Sequence, residues 1–391
     1  MRRSMLVGLG LSACVSTGDV LGDGHPPQLA DLADEAWVEW PGNAPDRLLA
    51  PGDLDGDGRA DLVAWAAGSS SLTLLGAGSR VLELSSAVVP SIADDIDGDG
   101  RADLAITLPS ECQVLVLHGG DPAPTLAITT PCGLATGSGI GDLDGDGAAE
   151  LAVAPTADGT LVYFGRASRT PRTPADADAS LTADLLDRDV GLRVVPIGDA
   201  SGDARADVAV TARGATLVYR GERFLGPVPV DRVAERLDDD AVVDHAPVGL
   251  GDLDGDGHDE LALRSFDALY TIFYGGGAGY GAPAAALRGT GFRPEQATIV
   301  GGDLDGDGAR DLVVGDPSLH VDGAPIAGGV HLLRGTEARL AGTIELGAAA
   351  ATWLGAATAV ALADLDDDGL DDLAVAVPSA RAVYVIRGRA R

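Results

Sequence analysis

Residues 53–61, DLDGDGRAD, set Asp53, Asp55 and Asp57 at alternate positions between glycines, with Asp61 four residues further on. Carboxylates so spaced on a loop that glycine lets bend can surround one hard cation with oxygen alone. Gly58 permits the sharp bend, Arg59 offers its backbone carbonyl, and Asp61 closes the shell directly before an apolar run. An EF-hand places its closing glutamate at loop position 12. Here position 12 is Ala64 and the closing acid stands at position 9, so the loop belongs to a β-hairpin.

The string returns along the chain. The second copy offers Asp95, Asp97, Asp99, the Arg101 carbonyl and Asp103. The third offers Asp142, Asp144, Asp146, Ala148 and Glu150, and the fifth Asp252, Asp254, Asp256, His258 and Glu260. The sixth has Asp303, Asp305, Asp307, Ala309 and Asp311, the seventh Asp364, Asp366, Asp368, Leu370 and Asp372. The fourth is eroded to Asp199, Ser201, Asp203 and Asp207, with Ala204 where the bending glycine stands elsewhere, and is expected to bind weakly or not at all. Oxygen-only donors disfavour zinc and copper, and Mg²⁺ keeps its waters, so about six Ca²⁺ sites are expected.

The elements that must carry these loops are short strands. Each loop follows a small apolar segment and precedes an apolar run, then a second run ending in glycine, such as TLVYFG, ATLVYRG, GVHLLRG or AVYVIRG. A fourth, weaker segment precedes the next loop, as in RVLELSS. Runs rich in Val, Leu, Ile and Tyr between Gly, Pro and Asp read as strands, and no sustained 3.6-residue period reads as a helix. Four strands per unit in seven units predict an all-β, seven-bladed β-propeller with calcium-binding hairpin loops. A solenoid is the alternative, but its coils are usually shorter. The seventh unit supplies three strands, so AWVEW at 36–40 is expected to add the fourth and close the ring, leaving no open edge.

A net charge of −33 argues against nucleic-acid or anionic-membrane binding through a basic surface. All 27 basic residues are arginine, which excludes lysine Schiff-base and P-loop chemistry. Residues 1–13 read as a lipoprotein signal peptide: Arg2 and Arg3, an apolar run, then LSAC, with Cys14 the lipidated residue. Residues 14–35 read as a flexible tether. That places the chain at a bacterial cell envelope, as a monomer touching the membrane only through its N-terminal lipid. Cys112 and Cys132 are left as a candidate disulfide, with buried free thiols the alternative. The six histidines show no metal-ligand spacing, no serine stands in G-x-S-x-G, and the regularly placed carboxylates are committed to the loops. No catalytic constellation is expected.

With these features aligned, the chain resembles the FG-GAP repeat family, the seven-bladed propeller at the head of integrin α subunits. The motifs that carry the likeness are WLGAATAVALADLDDDGLDDLAVAVPSARAVYVIRG (353–388) and GGDLDGDGARDLVVGDPSLHVDGAPIAGGVHLLRG (301–335). It extends over 36–391, although the FG pair survives only as Leu354-Gly355. The resemblance implies a calcium-stabilised binding or adhesion module for a protein partner, engaged through the face opposite the calcium loops. The insertions 165–190, 221–247, 275–297 and 316–329 are the expected contact points. The alternative is a lectin-like propeller whose aromatics stack on sugar rings, for which Tyr270, Phe273, Tyr274, Tyr280 and Phe292 are the one cluster, with Tyr270 to Tyr274 expected to pack inside a strand. A polysaccharide-acting hydrolase or lyase ranks last.

Overall fold

The computed structural model describes residues 35–39, 45–76, 79–132, 135–156, 159–181, 194–212, 215–228, 235–237, 242–265, 268–289, 297–317, 319, 328–336, 338–349, 351–354 and 359–390. The signal peptide, Cys14, nearly all of the tether, Phe292 and Gly355 lie outside them.

The described residues form seven sheets, one per repeat, and no α-helix. β1 (Glu35–Glu39) is discussed with the last blade. Blade 1 runs β2 (Arg47–Gly52), β3 (Asp61–Trp65), β4 (Ser71–Leu75), β5 (Arg80–Glu83). Blade 2 runs β6 (Val89–Asp94), β7 (Asp103–Leu108), β8 (Gln113–Leu117), β9 (Leu126–Thr129). Blade 3 has β10 (Thr136–Gly139), β11 (Leu151–Thr156), β12 (Gly159–Tyr163) and β13 (Ala179–Leu181). Blade 4 uses β14 (Val194–Gly198), β15 (Asp207–Ala212), β16 (Ala215–Tyr219), then skips β17 (Gly226–Val228) to reach β18 (Glu235–Leu237). Blade 5 has β19 (Val242–Gly251), β20 (Glu260–Ser265), β21 (Tyr270–Phe273) and β22 (Ala285–Arg288). Blade 6 has β23 (Thr298–Gly302), β24 (Asp311–Asp316) and β25 (Gly329–Leu333), and skips β26 (Gly342–Glu345) for β27 (Ala351–Leu354). Blade 7 orders as β1-β30-β29-β28, from β28 (Ala359–Ala363), β29 (Asp372–Val377) and β30 (Ala382–Ile386). β1 lies antiparallel to β30, with a bulge between Ala36 and Val38.

All pairings within the repeats are antiparallel. The second and third strands are the most enclosed: β7, β24 and β29 among the second strands, and β12, β21 and β25 among the third, are buried at every residue, as the apolar runs after the loops require. The core is divided into seven apolar clusters, and each joins the facing sides of two neighbouring blades. One joins Leu48, Leu62 and Leu75 of blade 1 to Val383, Val385 and Leu373's neighbour Ala374 of blade 7. A single blade therefore has no core of its own; stacking supplies it. The innermost strands approach closely: a Cβ on Gly139 would lie 2.4 Å from the Ala93 Cα, and one on Gly301 2.3 Å from the Leu250 carbonyl oxygen.

Two features depart from four strands per unit. β17 pairs parallel to β13 and β26 pairs parallel to β22, so blades 3 and 5 each gain a fifth, outermost strand lent by the following repeat. Arg172 makes a similar parallel bridge to Ile128 at the edge of blade 2. The insertions expected to be free contact loops, 165–190, 221–247 and 275–297, are thus partly built into the propeller. The physical reason is that an outer strand exposes unpaired amides and carbonyls, which a returning segment satisfies.

Candidate functional site: the ring of acidic loops

Each loop joins the first and second strands of its blade, so all seven stand on one face of the ring. The first aspartate is the pivot. Asp53 accepts from the Gly56 amide through Oδ1 (2.6 Å) and from the Gly58 amide through Oδ2 (2.8 Å). Asp95, Asp142, Asp252, Asp303 and Asp364 repeat both bonds. The fifth-position acids Asp57, Asp99, Asp146, Asp256, Asp307 and Asp368 accept from the amides of Arg59, Arg101, Ala148, His258, Ala309 and Leu370 at 3.0–3.1 Å. The eroded fourth loop keeps the same frame: Asp199 accepts from Gly202 and Ala204, both at 2.6 Å. Ala204 holds φ +66°, where the other loops have glycine.

The closing acids link the loop to the rest of the blade. Asp311 accepts from Leu304 in its loop (3.3 Å) and from Gly335 after the third strand (2.7 Å). Asp103, Asp372 and Glu260 bridge the same elements, and Asp207 does so through Ser201 and Gly221. This explains the glycine that ends each third strand. A Cβ on Gly335 would fall 2.2 Å from the Arg310 carbonyl oxygen, and one on Gly165 2.4 Å from that of Ala149.

Burial raises Asp61, Glu150, Asp207, Glu260, Asp311 and Asp372 above the usual carboxylate range, with neighbouring loop acids adding to it. Asp61, Asp311 and Asp372 are pushed up to about 6, and Glu150 and Glu260 to about 8. Such groups hold their charge only beside a cation.

Arginine supplies part of that positive charge, by two routes. Arg334 and Arg387, just before the third-strand glycine, pair with Asp305 and Asp366 of their own blades. Arg169, Arg223 and Arg339 come from the repeat that follows. They reach Asp97 (2.7 Å), Asp144 (2.5 Å) and Asp254 (2.5 Å). Arg223 and Arg339 also lie over the rings of Phe164 and Tyr274. These three arginines sit in the same segments that extend the preceding blades.

The guanidinium engages Oδ2 of Asp97, Asp254 and Asp366, while Oδ1 of each is buried without a hydrogen-bond partner. Glu150 Oε1 is likewise buried and unpartnered. A buried carboxylate oxygen with no donor is costly, and a divalent ion among these acids would satisfy it. Asp142, Asp144, Asp146 and Glu150 already bring one oxygen each within 4.8 Å of the others, as do Asp53, Asp55 and Asp57, and Asp252, Asp254 and Glu260. The donor set fits a hard cation bound through oxygen.

Two features were not legible as separate motifs. The arginines were invisible because their partners lie up to 85 residues away. His118 carried no ligand spacing, yet the β7–β8 register sets it beside Asp103. The aromatic cluster is buried: Tyr270, Phe273, Tyr274 and Tyr280 are each at most 4% exposed, so none of them offers a ring for a sugar to stack on. Cys112 and Cys132 are disulfide-bonded, tying the β7–β8 turn to the residues after β9. His258 directs Nδ1 to the Ala200 carbonyl of the preceding loop (3.2 Å).

The family model for the FG-GAP-like repeat matches residues 252–314, from the fifth loop into β24. The chain thus carries an FG-GAP-like repeat on a seven-bladed β-propeller. No curated protein sequence matches it. Among solved structures it is similar to BBS1N in complex with ARL6DN, at 14% identity and a TM-score of 0.54 over 89% of this chain and 93% of that one. It is also similar to Kuenenia stuttgartiensis hydrazine synthase, at 14% identity and a TM-score of 0.53 over 90% and 97%. These likenesses show the fold.

Proposed function

We propose that the protein is a calcium-stabilised propeller at the bacterial cell envelope, held by a lipid on Cys14, that binds a protein partner. Calcium would be held in each full loop by the first, third, fifth and closing acids with the seventh-position carbonyl, for example Asp142, Asp144, Asp146, Ala148 and Glu150. When bound it supplies charge that the clustered carboxylates lack and braces the hairpins. In the same reading β1 closes the ring from the outer edge of blade 7. A chain starting at residue 44 would then melt at a lower temperature than the full chain.

The observation that carries the binding role is one connection. Between second and third strands, six blades use two to five residues, whereas blade 6 uses twelve, 317–328, between Asp316 and Gly329. Asp316 and Gly329, the strand ends that flank it, stand at the end of blade 6 opposite its acidic loop. Residues 318 and 320–327 between them lie outside the described residues; a long insertion on a rigid scaffold is where recognition concentrates. The solved structure of similar fold is of BBS1N in complex with ARL6DN, which agrees with this use. The sugar-binding alternative loses the stacking surface of Tyr280.

The test is chemical crosslinking on intact cells producing the full chain, compared with a variant whose residues 317–328 are replaced by a two-residue turn. Partner crosslinks lost in the variant, with its melting temperature unchanged, support the reading. Crosslinks unchanged by the replacement, or saturable calcium-dependent binding on a glycan array, count against it. A Cys14→Ser chain should leave the membrane fraction.

A further inference from the structure

The second loop differs from the others in its donor atoms. The residue before the third-strand glycine is Leu75, Phe164, Arg220, Tyr274, Arg334 or Arg387 in six blades, and His118 in blade 2. None of the six offers a nitrogen lone pair; imidazole does. The β7–β8 register pairs Leu104 with Leu117, which places Asp103 and His118 side by side at the end of the hairpin. His118 is fully buried, with Nδ1 3.0 Å from Asp103 Oδ2 and 3.5 Å from Asp97 Oδ2. Nδ1 is hydrogen-bonded to Asp103, and on the other side of the ring Nε2 has no hydrogen-bond partner. The Asp97 side chain is only 5% exposed, and its Oδ1 is also unpartnered. Asp97, Asp103 and His118 each bring one donor atom within 4.8 Å of the other two.

We propose that Asp97, Asp103 and His118 form a mixed nitrogen–oxygen site that takes a first-row transition cation of the Zn²⁺ class. This rests on the reading that the loops hold cations, and it changes which cation the second loop selects. One imidazole and two carboxylates suit Zn²⁺, whose affinity for such donors exceeds that of Ca²⁺, an ion that seeks six to eight oxygens. Asp97 belongs equally to the all-oxygen group with Asp95 and Asp99, so the two ions compete for one ligand. Arg169 holds Asp97 Oδ2 (2.7 Å) together with Asp121 (2.5 Å), fixing the orientation of the shared carboxylate.

The full chain, stripped of metal and then saturated with Ca²⁺, is titrated with Co²⁺ as the visible probe for Zn²⁺. One Co²⁺ per chain is expected, with the intense visible absorption of a nitrogen-ligated, low-coordinate ion that Zn²⁺ abolishes. His118→Phe and His118→Leu, residues that other blades carry at this position, should remove that band and leave Ca²⁺ stoichiometry at the other loops unchanged. If neither variant folds, pulsed paramagnetic resonance of one Cu²⁺ on the Ca²⁺-saturated native chain decides. A directly bound imidazole nitrogen supports the site and its absence overturns it. Co²⁺ binding that stays weakly coloured and indifferent to His118 also overturns it, while Ca²⁺ binding leaves the calcium reading intact. A chain that binds neither ion loses both.

Discussion

The backbone amide of Ala60 donates to the carbonyl of Asp364 at 3.1 Å, tying the first loop to the last across the seam of the ring. The same bond, from the eighth position of one loop to the first position of the loop before, recurs around the propeller. It joins Ala102 to Asp53, Ala149 to Asp95, Ala206 to Asp142, Asp259 to Asp199 and Asp371 to Asp303. Asp259 and Asp371 add a side-chain bond back to the amides of Asp199 and Asp303. The acidic loops are therefore linked in one run, from the sixth through the seventh and first to the fifth, and an ion bound in one would act on its neighbours.

Calcium should accordingly stabilise the whole ring. Chelation with EDTA is expected to lower the melting temperature in one concerted transition, and added Ca²⁺ to restore it. At a free concentration 100 times Kd, each site contributes about 2.7 kcal/mol. Identical melts in EDTA and calcium would remove the metal reading.

Without metal, stability should fall as pH rises. Glu150 and Glu260 titrate near 8 in the folded chain and near 4.5 when unfolded. Between those values the folded state binds more protons than the unfolded one, so the slope of unfolding free energy with pH is negative. Denaturant melts in EDTA at pH 5 and pH 8 should show a loss of at least about 2 kcal/mol at the higher pH. Saturating calcium should flatten or reverse the trend, because the bound ion favours the ionised acids.

Ala204 stands at φ +66° where glycine stands in the other six loops. A left-handed conformation costs an alanine about 1–2 kcal/mol, partly offset by the extra unfolded-state freedom of glycine. Ala204→Gly should therefore raise stability by about 0.5–1 kcal/mol, read as an increased urea midpoint with an unchanged slope.

The opposite effect is expected at Gly335. A Cβ there meets the Arg310 carbonyl oxygen at 2.2 Å and disturbs the amide that Asp311 holds. Gly335→Ala should cost about 2–4 kcal/mol. An unchanged melt would show that the third strand can shift without breaking the strap.

The Cys112–Cys132 bond closes a segment of 20 residues, for which loss of the crosslink costs about 3 kcal/mol. The doubly serine-substituted chain should show that decrease, and reductant should have little further effect on it.

The local units were legible because each is specified by near neighbours in sequence. An Asp-Gly string forms its turn through bonds three to five residues long, as from Gly56 and Gly58 to Asp53. Alternating apolar runs specify strands, and the count of seven copies sets the number of blades. The strong third-strand glycines were visible too, although their reason was not. It lies in a carbonyl from the loop hairpin that leaves no room for a side chain.

What the tertiary structure alone decided is how repeats interlock. Nothing in the composition of 221–247 marks Gly226–Val228 as the outer strand of the preceding blade, or Arg223 as the partner of Asp144 from 79 residues away. Those outcomes depend on which edge amides lack partners and which buried carboxylates need a positive charge once the blades have stacked. His118 is the same lesson at one residue. Its sequence neighbours are apolar, and only the hairpin register brings its nitrogen to two aspartates. Local hydrogen bonding settled the loops, whereas the burial of charge between blades settled what surrounds them.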